Sequence, residues 1–352
     1  MSEGTHRAKG KAGIQTRIAI TGANSHIAKG LISRFIRDDD VYLHLFARKP
    51  GVVRAFLEKT LCTGRQDLAV HDGYQAFARN EYDVVINCVG LGTVSEEPHV
   101  YTSFFTVTEE FDALIISYLV RSPRTVYVNF SSGAVYGGDF LEPMGENTIN
   151  RLRVNAIARD NSFVIAKLNA EAKHRAFDSL NIIDIRVFSY FSRFVDIKGK
   201  YFLTELLYAL ANGKVFETDE VNIVRDYIHP DDLYGLVLRC ASLSGVNTAF
   251  DAYSLRPVEK REIIDYFVST HDLRYAIKNP RGYRNATGHK TVYYSVYRKA
   301  ETIGYRPRFS SMDTIKQEAQ HLLGERAATA GPPLRAPFGG EAGVIESRKA
   351  TT

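Results

Sequence analysis

A glycine turn near the N-terminus has the residue types and spacing of a phosphate-binding loop. The apolar run Arg17–Gly22 leads directly into a helix-like segment that starts at Ile27. Backbone N–H groups and the dipole of a starting helix can hold a pyrophosphate at such a turn. The turn predicts either an ordinary strand-to-helix connection or a dinucleotide site. In the second case the binding residues are Gly22, Asn24, Ser25, His26 and Ile27.

Two basic residues after the next apolar run bear on which dinucleotide would bind. An acidic residue at the end of the second strand would hold the ribose 2′-hydroxyl of NAD, but this run ends in Arg48 and Lys49. Two cations at that place favour a 2′-phosphate and therefore NADP, with NAD as the other possibility. The alternative is a solvated basic loop.

The elements that position these residues alternate between strands and helices. Short apolar, β-branched runs predict buried strands over Arg17–Gly22, Val41–Phe46, Asp67–His71, Asp83–Val89, Thr125–Phe130 and Ile182–Phe188. Amphipathic segments between them predict helices over Ile27–Arg37, Val52–Thr60, Thr106–Leu119 and Phe163–Leu180. This order predicts an α/β fold with a Rossmann-type, doubly wound parallel sheet.

The alternation ends near residue 188 and divides the chain. We expect a polar tail over 1–16, a dinucleotide-binding domain over 17–188, and a smaller C-terminal lobe over 189–324 that mainly binds substrate. Residues 325–352 are rich in Gly, Ala and Pro and poor in large apolar residues, which predicts a disordered tail.

Charge and cysteine content narrow the function classes. The 352 residues carry a net charge of +5, and more than half of that excess lies in residues 1–16 and 325–352, so no basic face for nucleic acid is expected. Three cysteines without a C-x-x-C pair indicate neither a disulfide framework nor a metal site, and they fit the cytoplasm. No apolar stretch is long enough to cross a membrane.

Five motifs resemble those of one family. They are the turn TGANSHIA, Asn87-Cys88-Val89-Gly90, the stretch SSGAVYG from Ser131, AKLNAE from Ala166, and RDYIHPDD from Arg225. In this order the chain resembles the extended short-chain dehydrogenase/reductases of the NAD-dependent epimerase/dehydratase group, over about residues 17–324. The resemblance implies an oxidoreductase that acts on a nucleotide-activated sugar and forms a homodimer.

The resemblance also implies roles for single residues. Ser132 would bond the reacting sugar oxygen, and Lys167 would bind the nicotinamide ribose and act on the catalytic tyrosine. Further cofactor contacts would come from Asp72, Asn87, Val89 and Gly90, and substrate contacts from Ser189 and Arg225. From the residues alone, Ser132 could instead cap a turn, Lys167 could be a solvated helix residue, and Arg225 could be a structural salt-bridge partner of an aspartate.

The family's catalytic tyrosine is absent. It precedes the lysine by four residues, one helical turn away on the same face, and here that position is Phe163. Hydride exchange at a carbinol carbon needs a matching proton transfer at its oxygen, which phenylalanine cannot supply. The hydroxyls of Tyr136, Ser132 and Tyr190 are the expected replacements.

Three functions remain open from the sequence. The first is an NADP-dependent 4-keto reductase or epimerase of a nucleotide sugar. The second is a catalytically silent protein that binds NADP or a nucleotide sugar and regulates a partner, as the missing tyrosine indicates. The third is a reductase of a non-nucleotide carbonyl compound.

Overall fold

The computed structural model describes residues 15–60, 67–91, 99–137, 140–278 and 290–329. The strands are β1 (Thr16–Thr21), β2 (Val41–Phe46), β3 (Leu68–His71), β4 (Val84–Asn87), β5 (Val126–Ser132), β6 (Ile182–Val187), β7 (Ser189–Tyr190), β8 (Phe216–Thr218), β9 (Val224–Arg225), β10 (Tyr227–Ile228), β11 (Asn247–Asp251), β12 (Val258–Glu259), β13 (Tyr275–Ile277) and β14 (Val292–Tyr293). The α-helices are α1 (His26–Phe35), α2 (Pro50–Thr60), α3 (Val100–Arg121), α4 (Ser162–Ala176), α5 (Phe202–Ala211), α6 (Pro230–Ala241), α7 (Lys260–His271) and α8 (Ser311–Thr329).

One sheet organises the larger part of the molecule. Its strand order is β11-β6-β5-β4-β1-β2-β3, and every pair in it is parallel. The order reverses between β1 and β4, where a doubly wound sheet opens a crevice for ligands. The predicted α/β, Rossmann-type fold is confirmed, and the six predicted strands are all present with small shifts at their ends.

A seventh strand, β11, completes the sheet beside β6 and was not predicted. Its sequence, NTAFD, has only two apolar residues and gives a weak strand signal. It lies inside the segment predicted to be mainly substrate lobe, because α6 returns the chain to the main sheet.

Both faces of the sheet are covered by helices, as parallel sheets require. Ile18 and Ile20 of β1 face a core formed with α1, α2 and α6, whereas Ala19 faces the core formed with α3. The C-terminal lobe has a separate apolar core, built from α5, α7 and α8 around residues such as Leu206, Phe267 and Ile315. The predicted division into a dinucleotide-binding domain and a substrate lobe stays a prediction.

The predicted domain limits remain predictions at the chain ends. Helix α8 continues to Thr329, beyond the predicted start of the tail at residue 325. Most of both predicted tails, residues 1–14 and 330–352, lies outside the described residues.

A chain of buried polar groups crosses the sheet directly beneath the ends of its central strands. Thr21 donates to Asn87 Oδ1 at 2.8 Å, and Asn87 Nδ2 donates to Asn129 Oδ1 at 3.2 Å. Asn129 Nδ2 then donates to Asp184 at 2.7 Å, and Asp184 faces His174 Nδ1 at 2.9 Å. The chain therefore links β1, β4, β5 and β6 to α4.

Helix α3 closes this network with a second carboxylate. His174 is fully buried, and its Nε2 lies 2.6 Å from Asp112 on α3. Burial alone would lower the pKa of His174, but the hydrogen bonds and charges of Asp112 and Asp184 outweigh it and raise the pKa to about 9. The imidazolium therefore persists at neutral pH as the centre of a buried carboxylate–cation–carboxylate group.

We expect His174→Gln to destabilise the protein in a pH-dependent way. The folded-state pKa of His174, about 9, lies above the usual 6.5, so its contribution is full below pH 6.5 and is lost as the pH rises through about 9. A shift of this size corresponds to about 3 kcal/mol. Thermal unfolding of parent and variant from pH 6 to pH 10 measures it, with the exposed His321→Gln as control. An equal deficit at pH 6 and pH 10 would contradict this assignment.

Candidate cofactor and substrate site

In the glycine turn at the end of β1, there is no room for a side chain at Gly22. Gly22 has a φ of +68°, and a Cβ there would lie 2.7 Å from the carbonyl carbon and oxygen of Cys88. Glycine is required both for this backbone conformation and for the close approach of the β4 loop. The turn is thus held against the segment that the resemblance places under the cofactor.

Helix α1 begins immediately after this turn. Ser25 is its N-cap and accepts a hydrogen bond from the N–H of Ala28 at 3.3 Å, while Asn24 is exposed. The first N–H groups of α1, at His26 and Ile27, belong to the positive end of the helix dipole. Of the predicted cofactor residues, Gly22, Asn24, Ser25 and Ile27 are together at this turn.

The His26 side chain contacts Ser192 and Tyr190 within the protein. Its Nε2 lies 2.7 Å from Ser192 Oγ, and its ring packs against Tyr190 with centroids 4.8 Å apart. Burial lowers the pKa of His26 to about 4, so the imidazole is neutral. A contact of His26 with a pyrophosphate would therefore come from its backbone N–H.

A tyrosine that the sequence did not single out holds the turn to the next strand. The Tyr74 hydroxyl accepts a hydrogen bond from the Gly22 N–H at 3.1 Å and donates to the Phe46 carbonyl at 3.3 Å. Tyr74 follows β3 by three residues, in a short 3₁₀ helix. No motif marked it, because its role depends on the packing of three strands.

The residues expected at the adenosine end lie at the surface. Arg48 and Lys49 are both exposed directly after β2. Asp72 pairs with Arg54 of α2 at 2.6 Å, and the Asp72 side chain is largely solvent-exposed. The basic pair is accessible to an anion, whereas the Asp72 carboxylate already has a cationic partner.

At the end of β4, Asn87 is buried, whereas Val89 and Gly90 after it are accessible to solvent. Asn87 Oδ1 accepts from the Val89 N–H at 3.0 Å, so the buried amide shapes the loop rather than facing solvent. Val89 is half-buried and Gly90 is exposed, with open space where its Cβ would be. Val89 and Gly90 are therefore the members of this predicted group that a ligand can reach.

Ser132 and Lys167 lie at the carboxyl end of β5. Ser132 Oγ accepts from the Ala134 N–H at 3.1 Å and lies 3.2 Å from the Tyr293 hydroxyl. Lys167 Nζ donates to the Phe130 carbonyl at 3.0 Å. Burial lowers the pKa of Lys167, although Asp184 and Glu171 act in the opposite direction. Ser132 does cap a turn, and it also keeps a second polar contact.

Phe163 occupies the tyrosine position in a small apolar cluster. It lies one turn before Lys167 on α4, and its ring packs edge-on against Phe104 of α3 with centroids 5.2 Å apart. The same cluster also contains Val100, Ala166, Leu91 and Tyr101. The ring therefore has an apolar environment and brings no proton to the site.

Two of the expected replacement hydroxyls are engaged away from Ser132. Tyr136 donates to Asp251 at 2.7 Å and accepts from Arg186 at 3.1 Å, and burial together with Asp251 raises its pKa strongly. A side chain at Gly30 would collide with the Tyr190 hydroxyl, so that hydroxyl lies against α1. This geometry argues against Tyr136 and Tyr190 as proton donors.

The substrate-side cation Arg225 is buried in the lobe. Its guanidinium donates to the carbonyls of Val224 at 2.9 Å and Lys290 at 2.7 Å and lies 5.8 Å from the centre of the Tyr293 ring. The partners that the described residues supply are main-chain carbonyls. Ser189, on β7, pairs in register with Tyr227 of β10 and is half-buried.

The arrangement is suited to a bound dinucleotide. The start of α1 after the Gly22 turn supplies backbone N–H groups, the exposed Gly90 leaves room for a ligand, and Lys167 supplies a buried cation. Ser132 supplies a hydroxyl at the same carboxyl edge of the sheet. Together they can hold phosphates by backbone N–H groups and polarise an oxygen beside Ser132.

We expect Gly22→Ala to lower the free energy of unfolding by more than about 2 kcal/mol, because the added Cβ meets the Cys88 backbone and the backbone conformation becomes strained. Chemical denaturation measures the change. Gly51→Ala is the matched control, since nothing lies within 4 Å of a Cβ there, and it should leave stability unchanged or slightly higher. Equal stabilities for the two variants would refute the close approach.

The structure resembles several solved enzymes. UDP-glucose 4-epimerase from Thermotoga maritima superposes with a TM-score of 0.72 at 15% identity, covering 90% of this chain and 100% of that one. UDP-glucuronic acid 4-epimerase from Bacillus cereus, in complex with NAD, gives 0.70 at 12% identity, covering 88% and 100%. dTDP-glucose 4,6-dehydratase from Streptomyces venezuelae gives 0.72 at 15% identity, covering 89% and 98%. These likenesses show a shared fold.

A comparison of the sequence with the curated proteins finds no match. Among the described residues, no helix is both long and apolar enough to span a membrane.

The sequence model of the NAD dependent epimerase/dehydratase family matches residues 18–249, which is well over half of the chain. The chain therefore belongs to the NAD dependent epimerase/dehydratase family.

Proposed function

We propose that this protein is an NAD(P)-dependent oxidoreductase that reduces or epimerises a nucleotide-activated sugar at a keto or carbinol carbon, as a cytoplasmic homodimer. One observation carries the proposal: the Gly22 turn, Ser132 and Lys167 lie at the same carboxyl edge of a doubly wound sheet. Family membership supports it. The α3–α4 pair, which packs side by side on one face of the sheet, is the proposed dimer surface.

In this proposal each group has a defined task. A bound nicotinamide dinucleotide supplies or accepts the hydride. The Gly22 turn and the start of α1 hold its phosphates, and Lys167 orients its ribose through a buried ammonium. Ser132 Oγ bonds the reacting oxygen and exchanges a proton with it.

A nucleotide sugar is the proposed substrate because similar folds hold one. The Thermotoga maritima enzyme was solved with UDP-glucose, and the Bacillus cereus enzyme with UDP-glucuronic acid and NAD. Arg225 and Lys290 place two cations on the side of Ser132 that faces the lobe. Since the Arg225 guanidinium already donates to main-chain carbonyls, we propose that it attracts a diphosphate through its charge.

Phe163 favours a second candidate, a silent protein that binds the dinucleotide or the nucleotide sugar and regulates a partner. The Phe163 ring fills an apolar cluster where an enzyme of this family would present a phenol. In this alternative the site binds one of these ligands without turnover. Cofactor binding alone cannot separate the two candidates, but turnover does.

The first experiment identifies the ligand and the reaction. Mass spectrometry of the gently purified protein should find a bound nicotinamide dinucleotide, and calorimetry should measure its affinity. Steady-state assays with UDP- and dTDP-sugars and their 4-keto forms should then show turnover. Absence of any NAD(H) or NADP(H) binding overturns the enzyme and the cofactor-binding alternative together.

We expect Phe163→Tyr to accelerate turnover, since a phenol one helical turn from Lys167 adds a general acid worth roughly 10²–10⁴-fold where none acts, and less where another does. The control is Phe105→Tyr, which adds a hydroxyl to an exposed ring on α3. Turnover by the parent refutes the silent alternative. Turnover that appears only in Phe163→Tyr supports that alternative instead.

We propose NADP as the preferred cofactor because Arg48 and Lys49 are exposed at the end of β2. The double variant Arg48→Ala/Lys49→Ala should weaken NADP binding at least tenfold, or about 1.4 kcal/mol, and leave NAD binding nearly unchanged. Arg37→Ala, an exposed cation after α1, is the control. Calorimetric affinities decide the point, and an equal loss for NAD and NADP contradicts a 2′-phosphate contact.

A further inference from the structure

A tyrosine of the C-terminal lobe contacts Ser132. Tyr293, the last residue of β14, places its hydroxyl 3.2 Å from Ser132 Oγ. The two residues are 161 positions apart in the sequence, so the contact exists only because the lobe packs onto the end of β5. Tyr293 thereby stands next to the hydroxyl that the proposed reaction uses.

The Tyr293 ring is held in one position. Phe140 and Phe188 pack against it, each with centroids 5.0 Å away, and only 4% of the residue is exposed. Buried aromatic contacts of this kind fix a side chain in one rotamer. The hydroxyl therefore has a defined direction toward Ser132.

Two cations face the same ring. Lys290 Nζ lies 4.2 Å from the ring centre, and the Arg225 guanidinium lies 5.8 Å from it. A cation over an aromatic face is attracted by the ring, and it also stabilises negative charge on the phenol oxygen. The other titratable group of this apolar cluster is Tyr136, whose hydroxyl is bonded to Asp251.

The balance of these effects keeps the phenol protonated at neutral pH. Burial raises the pKa of Tyr293 to about 12, while Ser132, Arg225 and the Ala134 N–H act to lower it. Burial and Arg225 also lower the pKa of Lys290 to about 8. Tyr293 can therefore deliver a proton, and the charge left behind has partners in place.

The geometry points to Tyr293 as the proton source of the reaction, acting through Ser132 in place of the phenol missing at Phe163. This inference rests on the proposed function. It assigns Tyr293 the positioning and supply of a proton, while Ser132 remains the group that touches the substrate oxygen. It also favours the reductive direction, in which a carbonyl oxygen must receive a proton.

In the reductive direction, a bound reduced dinucleotide would supply a hydride to the carbonyl carbon of the keto sugar, and the π electrons of the C=O bond would move to its oxygen. That oxygen takes the hydroxyl proton of Ser132, and Ser132 Oγ takes the proton of Tyr293. Tyr293 is left as a phenolate whose ring lies near Arg225 and Lys290, and water later restores its proton. The products are the sugar alcohol and the oxidised dinucleotide.

The first test removes one hydroxyl. Tyr293→Phe should lower the rate of keto-sugar reduction about 100-fold, the lower end of the range for a lost general acid, and leave dinucleotide affinity unchanged. The matched control is Tyr294→Phe, which removes a hydroxyl from the adjacent residue and should keep the parent's rate. Circular dichroism verifies that both variants are folded.

A second test changes acidity without removing the group. A ring-fluorinated tyrosine at position 293 makes the phenol more acidic, so the alkaline limb of the reduction rate should move to lower pH. Its fluorine NMR resonance, observed without cofactor or turnover, should shift on Ser132→Ala and on addition of UDP-glucose. The resonance shift on Ser132→Ala verifies the contact between the two hydroxyls. A merely structural tyrosine would leave the pH profile of the reduction rate unmoved.

The outcomes separate the inference from the function on which it rests. A 100-fold loss in Tyr293→Phe together with the moved alkaline limb supports the inference. An active parent with Tyr293→Phe within threefold of its rate, or an unmoved limb, overturns the inference and leaves the proposed function standing. A parent that binds the dinucleotide but neither reduces nor epimerises any nucleotide sugar overturns the proposed function, and the proton role with it.

Discussion

The buried hydrogen bonds from Thr21 through Asn87 and Asn129 to Asp184 and His174 fix the relative positions of four parallel strands and the helix beneath the site. Polar groups removed from water must be paired, so each member constrains the next. Because Asn87 also accepts the Val89 N–H, the same bonds shape the loop that closes on Gly22. A disturbance at His174 would therefore reach the ligand side of the sheet.

Some hydroxyl groups around the site stabilise the fold, and others are placed for chemistry. Tyr136 belongs to an ionic cluster with Arg186 and Asp251, which joins β6 to β11, and its proton is held there. Phe163 contributes packing, with its ring against Phe104 of α3. The Ser132 hydroxyl contacts Tyr293 of the C-terminal lobe. The chain therefore has no phenol at position 163 but places one beside Ser132 from a distant part of the sequence.

Much of the fold and part of the site followed from the sequence, because they depend on local patterns. Six strands, the glycine turn and the Ser132–Lys167 pair lie in contiguous motifs with strong apolar or glycine signals. β11 did not, since its NTAFD sequence is stabilised by pairing with β6 rather than by its own composition. The contacts of Tyr74 and Tyr293 could not be predicted, because they join residues 52 and 161 positions apart.

The Tyr74 hydroxyl, which bridges Gly22 and Phe46, has a consequence for ligand affinity. A loop that must be ordered by its ligand loses conformational entropy at the moment of binding, at roughly 1–2 kcal/mol per residue. This turn is ordered already by contacts within the protein, so it is preorganised and that loss falls on folding instead. A dinucleotide that binds at this turn would therefore keep more of the free energy of its contacts as affinity.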